Sequence, residues 1–178
     1  TCELLGDALS GARYRPLLLL ENLWQPGLTL TDPAMTRRLL EGVPYENVGL
    51  MLDTGHLFHT NESIQTQEEG LSYINAMLDR HGAWTERIRG VHLHQSITGE
   101  YARSMRTNPP VLKQTYSEGA WQMFEYAFAV DRHQPFICAG VRDLIERISP
   151  DYLTYELVTQ DLVQHRSLLT RQLRALEV

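Results

Sequence analysis

Four ionisable side chains of this sequence each follow a short apolar run, and their types are those that bind divalent cations. The residues are Glu21, Asp53, His92 and Glu156. Because three carboxylates that converge without a counter-charge repel one another, a divalent cation would stabilise them if they meet. Three oxygen ligands and one imidazole suit Mn²⁺, Mg²⁺ or Co²⁺, and a second nitrogen from His94 also admits Zn²⁺. These residue types therefore predict a metal centre, provided that the fold brings them together.

The apolar runs that carry these residues predict four strands of a parallel sheet. They cover residues 16–22, 48–53, 88–94 and 152–158, and each is short and almost continuously apolar, as in strands that are covered on both faces. Side chains alternate between the faces of a strand, so each run ends with an ionisable side chain on one face. Active sites of open α/β sheets and of closed barrels form at the carboxyl edge. Singly, Asp53 also suits a turn and His92 a core position; the recurrence over four strands favours a functional site.

Amphipathic helices with recognisable ends separate the predicted strands. One is predicted to begin at Pro33, after a capping residue, a second to cover residues 62–80 and a third residues 141–148. A last helix, from about Asp161, places apolar residues on one stripe: Leu162, Leu169, Leu173 and Leu176. This alternation predicts a single α/β domain over residues 1–178.

Residues 95–140 interrupt the alternation and are predicted to be an insertion loop with a short helix. The segment is far longer than the usual strand-to-helix connection. Within it, residues 120–130 have helical spacing and place Trp121, Phe124 and Phe128 on one face. We expect these aromatic rings to cover the core rather than to bind a substrate.

The composition is that of a globular protein and argues against two classes of partner. Hydrophobic residues make up 43% of the chain and charged residues 21%, with a formal net charge of −6. This is too apolar for disorder, and the acidic balance argues against nucleic acid as the main partner. No apolar run is long enough to span a bilayer and no secretory signal opens the sequence. With only two cysteines, these features predict a cytoplasmic protein without a membrane partner.

The same strand ends resemble the motifs of the xylose isomerase-like TIM barrels. The motifs are LEN at residues 20–22, VGLMLDTGH at 48–56, GVHLH at 90–94 and TYE at 154–156. That family holds sugar and sugar-phosphate isomerases and epimerases, inosose dehydratases and the endonuclease-four type of apurinic endonuclease. The resemblance implies that the chain is the C-terminal half of a (β/α)₈ barrel, strands five to eight, with the insertion after the seventh strand.

The resemblance also implies a function and individual roles for residues. The function is a metal-dependent isomerisation or epimerisation of a sugar-like or sugar-phosphate-like polyhydroxy carbonyl compound, by proton transfer through a metal-stabilised enediolate. His56 corresponds to a substrate contact, and His94 stands where the family usually has a substrate-binding lysine. Glu21 and Glu156 correspond to the catalytic base and acid. The metal ligands of the family correspond to Glu21, Asp53, His92 and Glu156.

Asp131 and His133 leave an alternative function open. The family commonly has an Asp-x-His pair after the seventh strand, and in the chemistry that cleaves abasic DNA several zinc ions are used, for which these two residues would be additional ligands. A turn before a helix explains the pair equally well. A third alternative is a half-barrel that binds a metabolite or a partner without converting it.

The predicted number of strands is half of what a barrel needs. A TIM barrel takes about 250 residues and eight strands, and half a barrel would leave an open sheet edge and an exposed apolar face. We therefore expect that either a longer chain upstream of Thr1 or a second copy, in a homo-oligomer, supplies the remaining strands.

Overall fold

The structure, a computed structural model, describes residues 2–11, 13–25, 27 and 29–177, and Thr1 lies outside them. Its centre is a parallel sheet of four strands, in the order β1-β2-β3-β4. The strands are β1 (Leu18–Glu21), β2 (Val48–Asp53), β3 (Ile88–His92) and β4 (Tyr152–Thr154). The predicted α/β class with a parallel sheet is confirmed.

Helices precede, connect and follow the strands. They are α1 (Cys2–Ser10), α2 (Pro33–Gly42), α3 (Thr54–Phe58), α4 (Gln67–His81), α5 (Gly99–Thr107), α6 (Tyr116–Val130), α7 (Val141–Ile148) and α8 (Leu162–Ala175), with a 3₁₀ helix at Gly82–Arg87. In the part of the chain that the structure describes, no helix is both long enough and apolar enough to cross a bilayer.

The core lies between one face of the sheet and the helices that cover it. Leu52 of β2 and Val91 of β3 are completely buried there, against Ile74 of α4 and Leu144 of α7. Burial of such aliphatic side chains contributes about 1.5–3 kcal/mol each. The pairing of these strands is what aligns the ends at which the candidate site lies.

The register of the sheet brings the predicted site residues to one edge. Asp53 is the pairing partner of His92, and His92 is the partner of Thr154, two residues before Glu156. Glu21, the last residue of β1, pairs with Met51 of the neighbouring strand. All of these positions lie at the carboxyl ends of parallel strands, as the sequence predicts.

The insertion holds two helices where the sequence predicts one. An antiparallel bridge between Gln95 and Gln134 closes its base, and α5 and α6 lie between these residues. The expectation that its aromatic residues cover the core is wrong. Trp121, Phe124 and Phe128 are 71%, 58% and 54% exposed, because α6 stands away from the sheet and buries only Gly119.

The apolar stripe predicted on the last helix is only partly buried. The buried residues of α8 are Leu168, Gln172 and Ala175, whereas Leu162 and Leu173 are exposed. The Oε1 atom of Gln172 accepts a hydrogen bond of 2.9 Å from the backbone N–H of Phe136. This hydrogen bond favours burial of the face of α8 that carries Gln172. The leucine stripe, on another face, is then partly exposed.

Candidate metal centre

Three of the four residues predicted as ligands, Glu21, Asp53 and His92, bring ligand atoms within 4.8 Å of one another beyond the carboxyl edge of the sheet. Nδ1 of His92 lies 3.5 Å from Oε1 of Glu21 and 3.6 Å from Oδ2 of Asp53. The same nitrogen lies 3.3 Å from Oε2 of Glu156. Atoms that bind one ion at about 2.1 Å lie roughly 3 to 3.4 Å from one another. The distances from His92 are within a few tenths of an ångström of this range, and the oxygen of Glu156 belongs to a neighbouring set of donors with His94 and His133.

The imidazole of His92 provides a separate test of that fit. Its Nδ1 atom is buried and has no hydrogen-bond partner among the described residues. Contact with Asp53, opposed by burial, raises the pKa of His92 above its ordinary value when no cation is present. A buried nitrogen that faces carboxylates is satisfied when its lone pair binds a cation. The donor set therefore fits a divalent metal.

Each ligand position is the last residue of its strand or lies just past it. Glu21, Asp53 and His92 end β1, β2 and β3. Glu156 differs from the prediction, because β4 ends at Thr154 and the glutamate lies in the following loop rather than inside a strand. Its side chain is 41% exposed, so it does not need the partner that a glutamate within a buried strand requires.

Asp53 is completely buried, and neighbouring groups hold its carboxylate. Oδ1 accepts a hydrogen bond of 2.7 Å from the backbone N–H of His56, and so caps α3. Oδ2 accepts one of 3.0 Å from Nε2 of His94. Burial by itself raises the pKa of Asp53, but polar contacts with His92 and His94 hold it well below its ordinary value. The residue is thus ionised at neutral pH, the form that binds cations.

His94 is completely buried and holds Asp53 in place. Its side chain has no exposed surface. Its ring stacks on that of His133, with the centroids 4.0 Å apart and an angle of 10°, and Gly55 lies so close to its Cε1 edge that a Cβ atom there would overlap the ring. Neighbouring groups thus cover the imidazole, and a substrate contact at His94 stays a prediction.

Asn22 fixes the spacing of β1 and β2 at this edge. Its side-chain amide donates a hydrogen bond of 3.0 Å to the backbone carbonyl of Asp53 and accepts one of 2.8 Å from the N–H of the same residue. Asn22 is buried. This pair of hydrogen bonds continues the sheet pairing past Glu21 and positions both carboxylates.

A second polar cluster lies beside the first. Nε2 of His56 lies 3.2 Å from Oδ2 of Asp131, and Nδ1 of His133 lies 3.5 Å from the same oxygen. Oδ1 of Asp131 is 3.4 Å from Nε2 of His59 and accepts a hydrogen bond of 2.7 Å from Ser96. Ligand atoms of His56, Asp131 and His133 lie within 4.8 Å of one another. Asp131 and His133 thus form part of the site and do more than shape a turn.

His56 and Asp131 form a buried ion pair when no metal is present. Both ring nitrogens of His56 donate, Nδ1 to the carbonyl of Asn22 at 2.9 Å and Nε2 to Asp131. Burial lowers the pKa of His56, but the bond to Asp131 and the charge of Asp53 outweigh it and raise the pKa to about 9. Burial raises the pKa of Asp131, whereas hydrogen bonds from His56, His59 and Ser96 hold it far below its ordinary value.

A comparison with models of protein families shows to which family this chain belongs. The family model described as xylose isomerase-like TIM barrel matches residues 10–149. The chain belongs to this family. The xylose isomerase-like family includes sugar isomerases and epimerases as well as endonuclease-four enzymes. The matched segment contains Glu21, Asp53 and His92 and ends before β4 and Glu156. Neither the curated proteins nor the solved structures give a match.

Some residues of this xylose isomerase-like site have no role in the sequence-based prediction. His59 and Ser96 contact Asp131, and Trp24 lies edge-on to His56 with the ring centroids 4.7 Å apart. His59 follows the DTGH motif by three residues, close to one helical turn, so its side chain returns to the neighbourhood of His56. That spacing is a signal in the sequence, whereas nothing local identifies Ser96 or Trp24.

Proposed function

We propose that the chain bears the catalytic edge of a metal-dependent isomerase or epimerase that acts on a sugar-like or sugar-phosphate-like polyhydroxy carbonyl compound. The observation that carries this proposal is the approach of Glu21 and Glu156, from the two outer strands, to the buried Nδ1 of His92. Their side chains are 35% and 41% exposed, whereas Asp53 is buried. Two carboxylates that a substrate can reach suit the removal and return of a proton.

A divalent cation would be held by Glu21, Asp53, His92 and Glu156. The mixed oxygen and nitrogen donors suit Mn²⁺, Mg²⁺, Co²⁺ or Zn²⁺. When bound, the ion supplies positive charge beside the substrate's carbonyl and hydroxyl oxygens and lowers the free energy of negative charge there.

The two glutamates would act from opposite sides of the substrate. β2 and β3 separate Glu21 from Glu156, so a substrate carbon above the middle of the sheet edge has a carboxylate on each side. One removes the carbon-bound proton and the other returns a proton. Nδ1 of His56 is 3.4 Å from Oε1 of Glu21, which supports a role for His56 in orienting that carboxylate and an adjacent substrate hydroxyl.

Replacement of one glutamate tests the proton transfer. Glu156→Gln should abolish exchange of the carbon-bound proton of ketoses and ketose phosphates with D₂O, observed by proton NMR with Mn²⁺-loaded protein, because an amide does not accept the proton. The matched control, Glu125→Gln on the exposed side of α6, should exchange like the wild type. Exchange at the wild-type rate in Glu156→Gln would contradict the assignment.

Metal content separates an enzyme from a half-barrel that only binds a metabolite or a partner. Asp53→Ala should lose the bound metal in elemental analysis, because the carboxylate with the lowered pKa is gone. Asp79→Ala, at a surface ion pair with Arg147, should retain it. A wild-type protein that carries no metal and is indifferent to chelators would favour the binding module instead.

The second polar cluster favours one other function, a metal-dependent phosphodiesterase that acts on abasic DNA. That chemistry uses several zinc ions, and His56, Asp131 and His133 form a further set of three closely spaced donors. The net charge of −6 opposes it, since binding to DNA needs neutralisation of phosphates. Salt-sensitive and chelator-sensitive cleavage of an abasic duplex would favour this function over isomerisation.

The sheet corresponds, in this proposal, to strands five to eight of a barrel. Within the described residues, β1 and β4 each pair on one side only, and Tyr152 of β4 is 56% exposed. Four further parallel strands would close the barrel, from a segment upstream of Thr1 or from a second copy. A dimer of the 178-residue chain in sedimentation equilibrium would favour the second copy.

A further inference from the structure

A cavity of about 480 Å³ lies between the insertion helices and the catalytic edge. Most of its wall is apolar and comes from α5, α6 and the segment between them. The main apolar residues of this wall are Ala102, Met105, Leu112, Met123, Tyr126 and Val130. Its volume is in the range of small-molecule pockets. The face of α6 that lines it is not the face that carries Trp121, Phe124 and Phe128.

Trp24 connects this cavity to the candidate metal centre. It lines the cavity and lies three residues beyond Glu21. Its ring centroid is 4.7 Å from that of His56 and 5.1 Å from that of His59. Since Nδ1 of His56 is 3.4 Å from Oε1 of Glu21, the side chains of Trp24 and His56 lie in succession between the cavity and the proposed base.

An ion pair keeps the wall of the cavity at a fixed distance from Trp24. Arg106 of α5 binds the carboxylate of Glu62 through both terminal nitrogens, with Nη2 2.7 Å from Oε2. This hydrogen bond lowers the pKa of Glu62. At the start of α5, Gly99 lies so close to the backbone of Glu62 that a Cβ atom would overlap it. The helix is therefore held against the body of the protein, and the cavity beside it is preformed.

The other side of the same ion pair is polar. A groove of about 550 Å³ shares Trp24, His59, Glu62 and Arg106 with the cavity. Hydroxyl and amide side chains line the rest of it, among them Thr29, Thr31, Thr60 and Asn61. Next to the catalytic edge, then, a surface that suits hydroxyl groups adjoins a cavity that suits apolar groups.

We propose that the cavity is a subsite for an apolar, ring-sized substituent of the substrate. The inference rests on the proposed function, which places the polyhydroxy carbonyl part of the substrate at the metal centre. An unsubstituted sugar carries hydroxyl groups on nearly every carbon and would leave this apolar wall in contact with water. An aromatic or branched aliphatic group displaces that water and buries apolar surface on both partners. The substrate class is therefore a polyhydroxy carbonyl compound that bears such a group.

The test compares two probes, a ketohexose and the same ketohexose with a benzyl ether on its terminal carbon. Binding is measured by calorimetry with the Mn²⁺-loaded full chain. The benzyl ether should bind at least about tenfold more tightly, as expected for burial of an aromatic ring. Equal affinities in the wild type would overturn the subsite.

Two variants and one control test whether the tighter binding of the benzyl ether depends on this cavity. Ala102→Trp fills the cavity and Met123→Asp places a charge on its wall, and each should bring the affinity ratio close to one. Met123 is 52% exposed, so its substitution leaves the fold intact even if the larger tryptophan does not. Phe124→Ala, on the outward face of the same helix, should keep the ratio. A ratio unchanged by Met123→Asp, or a dimer of the wild type that this variant dissociates, would overturn the subsite.

Failure of the subsite is distinguishable from failure of the proposed function. If the benzyl ether binds more tightly but no ketose exchanges its proton, the result supports the subsite and refutes the isomerase. Proton exchange on both probes with equal affinity supports the isomerase and refutes the subsite.

Discussion

At the scale of single residues, the candidate site depends on histidines and carboxylates that hold one another in charged forms. Asp53 accepts from His94 and from the backbone of His56, and Asp131 accepts from His56. Because the pKa values of both aspartates are held low, both are ionised over the whole physiological range. Both carboxylates are therefore in the ionised form that a cation would bind.

The ion pair of His56 predicts a pH-dependent stability. In protein freed of metal by a chelator, the pKa of His56 is about 9, against an ordinary value of 6.5. Because the folded-state pKa is the higher one, this stabilisation is fully present below about pH 6.5 and is lost as the pH rises through 9. The loss in free energy of unfolding is about 3 kcal/mol at most.

Urea unfolding at pH 6, 7.5 and 9.5 measures that loss. His56→Gln should remove most of the decrease between pH 6 and pH 9.5. His165→Gln, on an exposed position of α8, should behave like the wild type. Stability of the wild type that is constant over this range would contradict the proposed charge state of His56.

The close approach of Gly55 to His94 predicts a second residue-scale effect. A Cβ atom at Gly55 overlaps the buried imidazole of His94, which has no room to move because it also stacks on His133. Gly55→Ala should therefore lower the free energy of unfolding by about 1–3 kcal/mol, as overpacking does. At Gly42 a Cβ atom meets nothing within 4 Å, so Gly42→Ala is the matched control and should be neutral or slightly stabilising. Thermal unfolding of the two variants measures both changes in stability.

At the scale of elements, caps and turns place the polar residues as much as the strands do. Asp53 both ends β2 and caps α3. The residue therefore forms the turn after the strand and also belongs to the candidate site. α4 begins with a capping box in which Thr66 accepts from the N–H of Glu69 and Glu69 accepts from the N–H of Thr66. It ends at Gly82, whose φ of 54° favours glycine.

The capping box of α4 is testable by substitution. Thr66→Ala should lower the free energy of unfolding by about 1 kcal/mol, because one helix N–H loses its acceptor. Thr115 occupies the corresponding position of α6, but its side chain makes no capping hydrogen bond. Thr115→Ala should therefore lower the free energy of unfolding by clearly less, as measured by denaturant unfolding. Equal losses in the two variants would assign the effect to helix propensity instead of the cap.

At the scale of the whole molecule, the proposed metal centre would link metal binding to folding. The proposed ligands come from three strands and from the loop after the fourth, so only the folded sheet brings them together. A cation that binds this assembled set and not the unfolded chain stabilises the fold. Without a cation, the buried Nδ1 of His92 has no partner among the described residues.

This linkage predicts stabilisation by added metal. Mn²⁺ at a hundred times its Kd should raise the free energy of unfolding by about 2.7 kcal/mol, read as an increase in Tm. Asp53→Ala should abolish the increase and Asp79→Ala should retain it. An increase in Tm that persists in Asp53→Ala would place the cation elsewhere in the molecule.

The sequence by itself determined the strand ends and the residue types that they carry. β2 is buried at five of its six positions, and its continuous apolar run identifies it without any tertiary information. The same holds for α4 and α7, in which Leu71, Ile74, Val141 and Leu144 recur at helical spacing in the sequence and are buried in the structure. In these elements, the residues that the hydrophobic spacing places on one face are the residues that the core buries.

Only the tertiary structure decided what surrounds those residues. His94 has the sequence position of a substrate contact, yet the packing of Gly55 and His133 buries its imidazole completely. The aromatic face of α6 has the period of a core helix, yet α6 lies on an insertion that stands away from the sheet. The period of a helix states which side chains share a face, whereas the direction of that face depends on contacts with residues distant in the chain.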